Sequence, residues 1–369
     1  LPSSIFAFNL PVRQQTEGKA MTRSGQLLIT ASLFLFSAIA ANAASPNAPN
    51  YKVTKSVALG APERWDYTIY DKSGHRVFVA HGDKVAVVDA ESGKLLGNVE
   101  GIPGGTHGTV AVGDKGYTDD GKAGQVVVFD LKTFKILKRL KAEDDADGIA
   151  LDPASGHIFV IDGDSKAITV VDSKNDQVID TIHTDGGLEA AVAGGNGKLY
   201  VNGSEKKELL RVDIATNKVD ATWPIPNCTS PHGLAMDTAA HRLFVSCVNK
   251  VMTIVNSDSG AVIATVPIGQ GTDSAAFDPK RKLAFSSNGV DGTISVIREV
   301  NPNSFVPAGE IKTKVTGRTM DIDPDTGRLY VAAADIDPNA PVPPGKDGRP
   351  GRPKPLPGSL KLLFLDPAE

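Results

Sequence analysis

The 369-residue chain holds two cysteines and no C-x-x-C pair, which removes a dithiol redox centre from consideration. Cations are not in excess: 39 Lys and Arg against 43 Asp and Glu give a formal charge of −4, whereas a nucleic-acid partner calls for a basic face. The single long apolar run, Leu27 to about Ala41, is too short and wrongly flanked for a stable membrane span. Beyond it no segment carries a helical period, so helix-borne sites are excluded too. There is no H-E-x-x-H helix, no G-x-S-x-G elbow, no Walker loop and no G-x-G-x-x-G turn. "SEKK" at 204–207 fits S-x-x-K but sits in a loop with no helix to present its lysine.

The apolar run has its own logic. Met21 opens a stretch with Arg23, then the run, then Ala41-Asn42-Ala43 with small residues at the −3 and −1 positions. This pattern predicts a secretory signal peptide over 21–43, cleaved after Ala43, and a periplasmic or secreted product starting near Ala44. Residues 1–20 lack such logic and read as an upstream extension. Removing residues 1–43 takes away three cations and one anion, leaving about −6 on the mature chain.

What remains is a repeat. "HRVFVAHGD", "HIFVIDGD", "KLYVNGSE", "HRLFVSCVN", "KLAFSSNGV" and "RLYVAAAD" alternate with "KVAVVDAESGKLL", "QVVVFDLKTFKIL", "AITVVDSKNDQVI", "LLRVDIATNKV" and "VMTIVNSDSGAVI". The polar residue closing the second motif falls at Asp89, Asp130, Asp172, Asp213 and Asn256, 41 to 43 residues apart, with Ile297 and Asp366 holding the slot in the last two copies. Each unit contains about four short strands between Gly, Asp, Asn and Ser turns. The strands are apolar on both faces, as expected of sheets packed on both sides. Seven such units over residues 51–369 predict one all-β domain, a seven-bladed β-propeller of four-stranded blades. The chain stops after "SLKLLFLD", a third strand, and "VTKSVALGAP" at 53–62 matches the fourth-strand template "VIATVPIGQG". An N-terminal strand completing the last blade therefore closes the ring and removes its open edge.

"LYVNG" and "LYVAA", followed by "VDxxTxKVxxTxPI"-like stretches, resemble the YVTN-type repeats of exported YncE-like propellers. The Pro-rich stretch at about 336–358, ending in "PGS" before the last strand, is similar to an insertion common in that family. The resemblance implies the fold and a central channel lined by the innermost strands, and it brings no single activity with it.

Aligning the repeats on Asp71, Asp152, Asp237, Asp278 and Asp323, with Val112 and Gly194 in the two degenerate copies, isolates one position. Five residues earlier stand Asp66, His107, Asp147, Glu189, His232, Asp273 and Arg318. All seven are ionisable in a chain where such residues are about a quarter of the total. In a propeller of this family they ring one axial mouth, where crowded charges perturb each other and form a candidate ligand site. A water-filled rim would also be polar, but no Ser, Thr, Asn or Gln occupies the slot. No cofactor is assigned. A divalent metal on the axis would use the carboxylates if hard, and His107 and His232 if it were zinc or copper, although those two lie three blades apart, too far to bind one ion directly.

Other features are read as scaffold. His75, His157 and His241 are expected to share a turn at the opposite face. His81 lies on the mouth side as a candidate to join the mouth, and His183 ends a fourth strand. "DIDPDTG" at 321–327 has the look of a calcium loop, but "LDPASG" and "FDPKRK" fill the same turn elsewhere, which reads as a hairpin. Cys228 and Cys247 should meet near His232, and an oxidising compartment favours a disulfide. The insertion, with Lys346, Arg349, Arg352 and Lys354 against Asp347, leaves from the mouth side as a basic strap or a solvated loop.

Three functions are open at this point. The first is a propeller, expected to be monomeric, that binds a small molecule or a protein partner at the mouth without chemistry of its own. The second is a lactonase-like hydrolase, with His107 or His232 as base and Arg318 stabilising negative charge. The third is a structural repeat protein whose blade edges make the contacts.

Overall fold

In the computed structural model, residues 50–345 and 351–368 are described. The signal-peptide segment 21–43, the extension 1–20, and Lys346, Asp347 and Arg349 of the insertion lie outside the described residues. Seven four-stranded antiparallel sheets follow one another along the chain. The first blade shows the pattern: Thr68–Asp71, Arg76–His81, Lys84–Asp89 and Leu95–Val99, joined by tight turns. The only helix among the described residues is one 3-10 turn, Gly121–Ala123.

The absence of clean alternation in the middle strands now has its cause. In Arg76–His81 the consecutive residues Val77, Phe78, Val79 and Ala80 are all buried. Val77 and Val79 point into the gap shared with the last blade, and Phe78 into the gap shared with the second. A strand's side chains alternate between faces, and in a stacked blade both faces are covered. Seven apolar clusters fill the seven inter-blade gaps, including the one between first and last blades. Each second strand carries an aromatic ring at one position: Phe78, Tyr117, Phe159, Tyr200, Phe244, Phe285 and Tyr330, none more than 1% exposed. Truncating one such ring to alanine should cost about 3–5 kcal/mol.

The periodic Asp and Asn side chains at the face opposite the mouth are turn formers. Asp89, Asp130, Asp213 and Asn256 each accept the backbone N–H three residues on, from Ser92, Thr133, Thr216 and Ser259. Asp152 and Asp237 do the same in the inner hairpins. Such Asx turns satisfy backbone donors that the ladder leaves over. "DIDPDTG" belongs here: Asp323 accepts from Asp325 N and Thr326 Oγ1.

The ring closes as the sequence implies, with adjusted bounds. The closing strand is Tyr51–Ala58, antiparallel to Lys361–Pro367 in a sheet ordered fourth, third, second, first from the outside in. The Tyr51 hydroxyl donates to the Gly327 carbonyl at 2.9 Å. One histidine expectation fails by one residue. His75 and His241 take the left-handed turn position at φ 48° and 58°, but in the third blade Gly156 takes it at φ 78° and His157 opens the strand His157–Asp162. The two blades need a side chain that tolerates positive φ, whereas the third uses glycine, which pays no steric penalty there.

Candidate functional site

The seven first strands touch one another in sequence, the seventh against the first, and so enclose the axis. Their close approach depends on glycine directly after the ring residue in two blades, the second and the fifth. A Cβ on Gly233 would lie 2.4 Å from Ala275 N, and one on Gly108 2.6 Å from Ile149 Cγ2. "THG" and "PHG" thus mean an ionisable residue at the rim followed by a residue thin enough for the neighbouring strand. Cross-blade bonds fix the register: Tyr67 N–H donates to His107 O at 3.0 Å, Asn202 Nδ2 to His232 O at 2.7 Å, and Thr319 Oγ1 to Asp66 O at 2.8 Å.

All seven ring residues stand at, or just before, the start of these strands, and they meet in one field. His107 Nε2 is 3.8 Å from Asp147 Oδ1, Arg318 Nη2 is 3.8 Å from Asp66 Oδ2, and His232 Nδ1 is 3.2 Å from Glu189 Oε1. Arg318 also donates to Asp273 and to the Trp65 carbonyl. Asp66, His107 and Asp147 each offer one ligand atom within 4.8 Å of the others, the group best suited to a metal ion among the described residues.

The charges respond to place. Burial alone would push the Asp273 carboxyl up, but Arg318, Arg352 and His232 outweigh it and hold it at about 2. Burial pushes Asp147 well above the ordinary carboxylate range, with Glu189 and Asp66 adding to the rise and His107 opposing it. Asp66 is raised by burial, against the pull of Arg318 and His107. For His107, burial disfavours the cation, yet the hydrogen bond from Nδ1 to Asp119 and the nearby Asp147 and Asp66 carry it up to about 9. An imidazole already protonated at neutral pH does not act as a general base. Arg318 is drawn toward Asp273 and Asp66, which also fits poorly with an oxyanion role.

The mouth divides into two sectors. On one side a cavity of about 230 Å³ is walled by Trp65, His232, Asp273 and Arg318, with Arg352, Pro353 and Pro355 of the insertion along its edge. The basic strap is there: Arg352 Nη2 donates to Asp273 Oδ2 at 3.0 Å, and the Gly358 N–H donates to Glu63. The Arg318 guanidinium lies 5.5 Å from the Trp65 ring centre. Trp65 is 5% exposed, and its indole Nε1 has no hydrogen-bond acceptor among the described residues. On the other side a depression of about 440 Å³ is lined by Asp145, Asp147, Asp164, Glu189 and Glu205. Below both, a further cavity of about 230 Å³ runs among first-strand residues, with Tyr67 and Asp321 as its ionisable lining.

Cys228 and Cys247 form a disulfide across 19 residues. The bridge ties the lead-in of Pro231–Asp237, and with it His232, to the strand Arg242–Cys247. His81 is buried as a structural anchor, its Nε2 2.7 Å from the Pro62 carbonyl, and does not join the mouth. Residues 204–207 form a turn, with Lys207 at φ 57°, which gives the S-x-x-K match no catalytic setting. Two functional residues escaped the slot argument. Trp65 stands one residue before the slot, and Asp119 lies on a second strand, where it accepts from His107 Nδ1 at 2.6 Å. Asp119 did leave a trace: "KGYTDD" puts acid where "HIFVID" has isoleucine.

Fold and site together define a seven-bladed β-propeller of the YncE-like kind, closed by its N-terminal strand and carrying its ionisable ring at the axis. The chain belongs to the family described as a domain of unknown function, DUF5074, which matches residues 66–275. It is 27% identical over 172 residues to the proteins named YncE of Salmonella typhi and Salmonella typhimurium, a stretch covering 44% of this chain and 48% of theirs. The chain thus spans about half the length of the curated relatives it matches. Among solved structures, Kuenenia stuttgartiensis hydrazine synthase aligns at TM-score 0.63 and 17% identity, over 72% of this chain and 91% of that one. U3-55K aligns at TM-score 0.70 and 10% identity, over 86% and 99%. These two likenesses speak for the fold alone.

Proposed function

We propose that the protein is an exported propeller that binds a small organic acid at the cationic sector of its axial mouth, without chemistry of its own. The carrying observation is the Trp65 indole: a buried N–H donor with no acceptor among the described residues, on the wall of a cavity shared with Arg318 and Arg352. Native proteins rarely leave a buried donor unmet. A ligand carboxylate would take that N–H together with a guanidinium, while its apolar body rests on the indole and on Pro353 and Pro355. At about 230 Å³ the cavity is smaller than the roughly 300–1,000 Å³ typical of drug-sized sites, which favours a small ligand. The disulfide fits an oxidising compartment, and no helix among the described residues is long and apolar enough to cross a membrane. On the hydrolase reading the base would have to be His232, because His107 holds its proton up to about 9.

The test uses fluorescence and calorimetry on a panel of aliphatic and aromatic carboxylates. Trp223, the other tryptophan, packs against Tyr200 in the fourth blade, so Trp223→Phe leaves Trp65 as the sole reporter. At least one acid should bind and change Trp65 emission. Trp65→Phe, which keeps a ring but removes the N–H, should weaken that binding about tenfold. A panel that leaves the emission and the melting temperature untouched would sink the proposal, as would equal binding by Trp65→Phe.

A further inference from the structure

We propose a second site at the same mouth: His107 Nε2, Asp66 and Asp147 hold a divalent first-row transition metal ion, with Asp119 as the carboxylate that orients the histidine. The proposal uses other residues than the organic-acid site and goes beyond it.

The Asp119 side chain has no exposed surface. It is locked by three donors on the His107 segment: the backbone N–H of His107 at 2.9 Å, that of Gly108 at 2.9 Å, and the ring Nδ1 at 2.6 Å. A carboxylate accepts and cannot donate, so Nδ1 must carry the proton. The ring then presents Nε2 to the axis. This carboxylate–histidine arrangement is the outer-shell device that metal sites use to fix tautomer and ring plane. His232 also has a carboxylate at Nδ1, Glu189 Oε1 at 3.2 Å, but that carboxylate is itself a ring residue, whereas Asp119 stands behind the ring on a second strand.

What Nε2 faces supports the same conclusion. Asp147 Oδ1 lies 3.8 Å away, beyond a hydrogen bond but within the span of two ligands on one ion. With metal–ligand bonds of about 2.0–2.2 Å, neighbouring donor atoms sit roughly 3–4 Å apart, and the three atoms already lie within 4.8 Å of one another. The donors come from the starts of the first, second and third blades, so one ion would cross-link three adjacent blades.

The donor set selects the ion. Calcium and magnesium prefer all-oxygen shells and copper(I) prefers sulfur, whereas one imidazole with two carboxylates suits zinc, cobalt, manganese or iron in the divalent state. The ion displaces the proton from His107 Nε2 and any proton on the two carboxyls, and the three ligands then bring two negative charges, matching it. Three protein ligands leave positions for water or a further ligand on the solvent side of the mouth.

The experiment uses protein stripped of metal by chelation and dialysis, with its disulfide intact, titrated with Zn²⁺ by calorimetry and with Co²⁺ by visible absorption. One equivalent should bind. His107→Gln should abolish stoichiometric binding, and Asp147→Asn should weaken it at least tenfold. Asp119→Asn should weaken it by about 10–100-fold, because it removes only the orienting acceptor. His241→Gln, at the opposite face, and Trp65→Phe should bind as the wild type does. The Trp65 control separates the two sites, because loss of organic-acid binding leaves the metal result unmoved. Thermal melts establish that each variant is folded, and half-buried Asp147 gives a readout if His107→Gln misfolds. The proposal is overturned if Zn²⁺ and Co²⁺ show no stoichiometric binding. It is equally overturned if folded Asp147→Asn and Asp119→Asn bind them as tightly as the wild type.

Discussion

Asp147 and Asp273 occupy one slot of the repeat, three blades apart, and the protein treats them oppositely. Asp273 sits between two guanidinia and is held at about 2. Asp147 faces Glu189 and Asp66 with only an imidazole to help, and burial carries it well above the usual carboxylate range. The same residue type in the same strand register thus builds a cationic, aromatic sector on one side of the axis and an acidic one on the other. The repeat fixes where a side chain stands, and its neighbours across the ring fix what charge it carries.

The largest effect expected from breaking this contrast belongs to Arg318→Met. It leaves Asp273 and Asp66 without their shared cation, and loss of one partner from a buried pair costs about 3–5 kcal/mol. Urea unfolding at pH 7 measures it. The pH dependence has a definite sign. The Asp273 carboxyl is depressed in the folded state, so its contribution is fully present above its unfolded value near 3.8 and is lost as pH falls through about 2. The deficit of Arg318→Met should therefore shrink in acid.

Opening the disulfide by replacing Cys228 and Cys247 with alanine should cost about 3 kcal/mol by the loop-entropy estimate. The bridge braces the His232 segment on the border of the two sectors, so the loss should appear in the melting temperature and not in the titration of Asp147.

Asp147→Asn should act in the other direction. In metal-free protein the raised carboxyl favours folding only while protonated, and its cost grows as pH rises through the folded value. The variant should melt above the wild type at neutral pH, with the gap closing in acid. Stability given up at a charged site is a common mark of a functional one. The smallest effect is Arg352→Ala. That side chain is 53% exposed, so its pairing with Asp273 should contribute less than about 1 kcal/mol, and chemical denaturation should barely register it.

Much of the fold was legible in the sequence because a propeller repeats its constraints. The 41- to 43-residue interval between closing Asp and Asn residues records one Asx turn per blade, and each second-strand motif carries the aromatic that fills an inter-blade gap. The ring slot was legible for the same reason, as was the fourth-strand template that closes the last blade. Trp65 and Asp119 were not, because they stand off the slot and matter through contacts that only folding creates. His157 was misplaced by one residue because its turn uses Gly156 where the others use histidine. The division into sectors was hidden as well. It depends on which blades become neighbours of Arg318, and on Arg352 arriving from an insertion outside the repeat.

The most direct measurement is a carbon-13 carboxyl NMR titration that follows Asp147 and Asp273 in the same metal-free sample. Asp273 should titrate near 2 while Asp147 titrates well above the ordinary carboxylate range. Two curves superimposed near 4 would mean that the mouth has no sectors, and the reading of the site would be contradicted at its root.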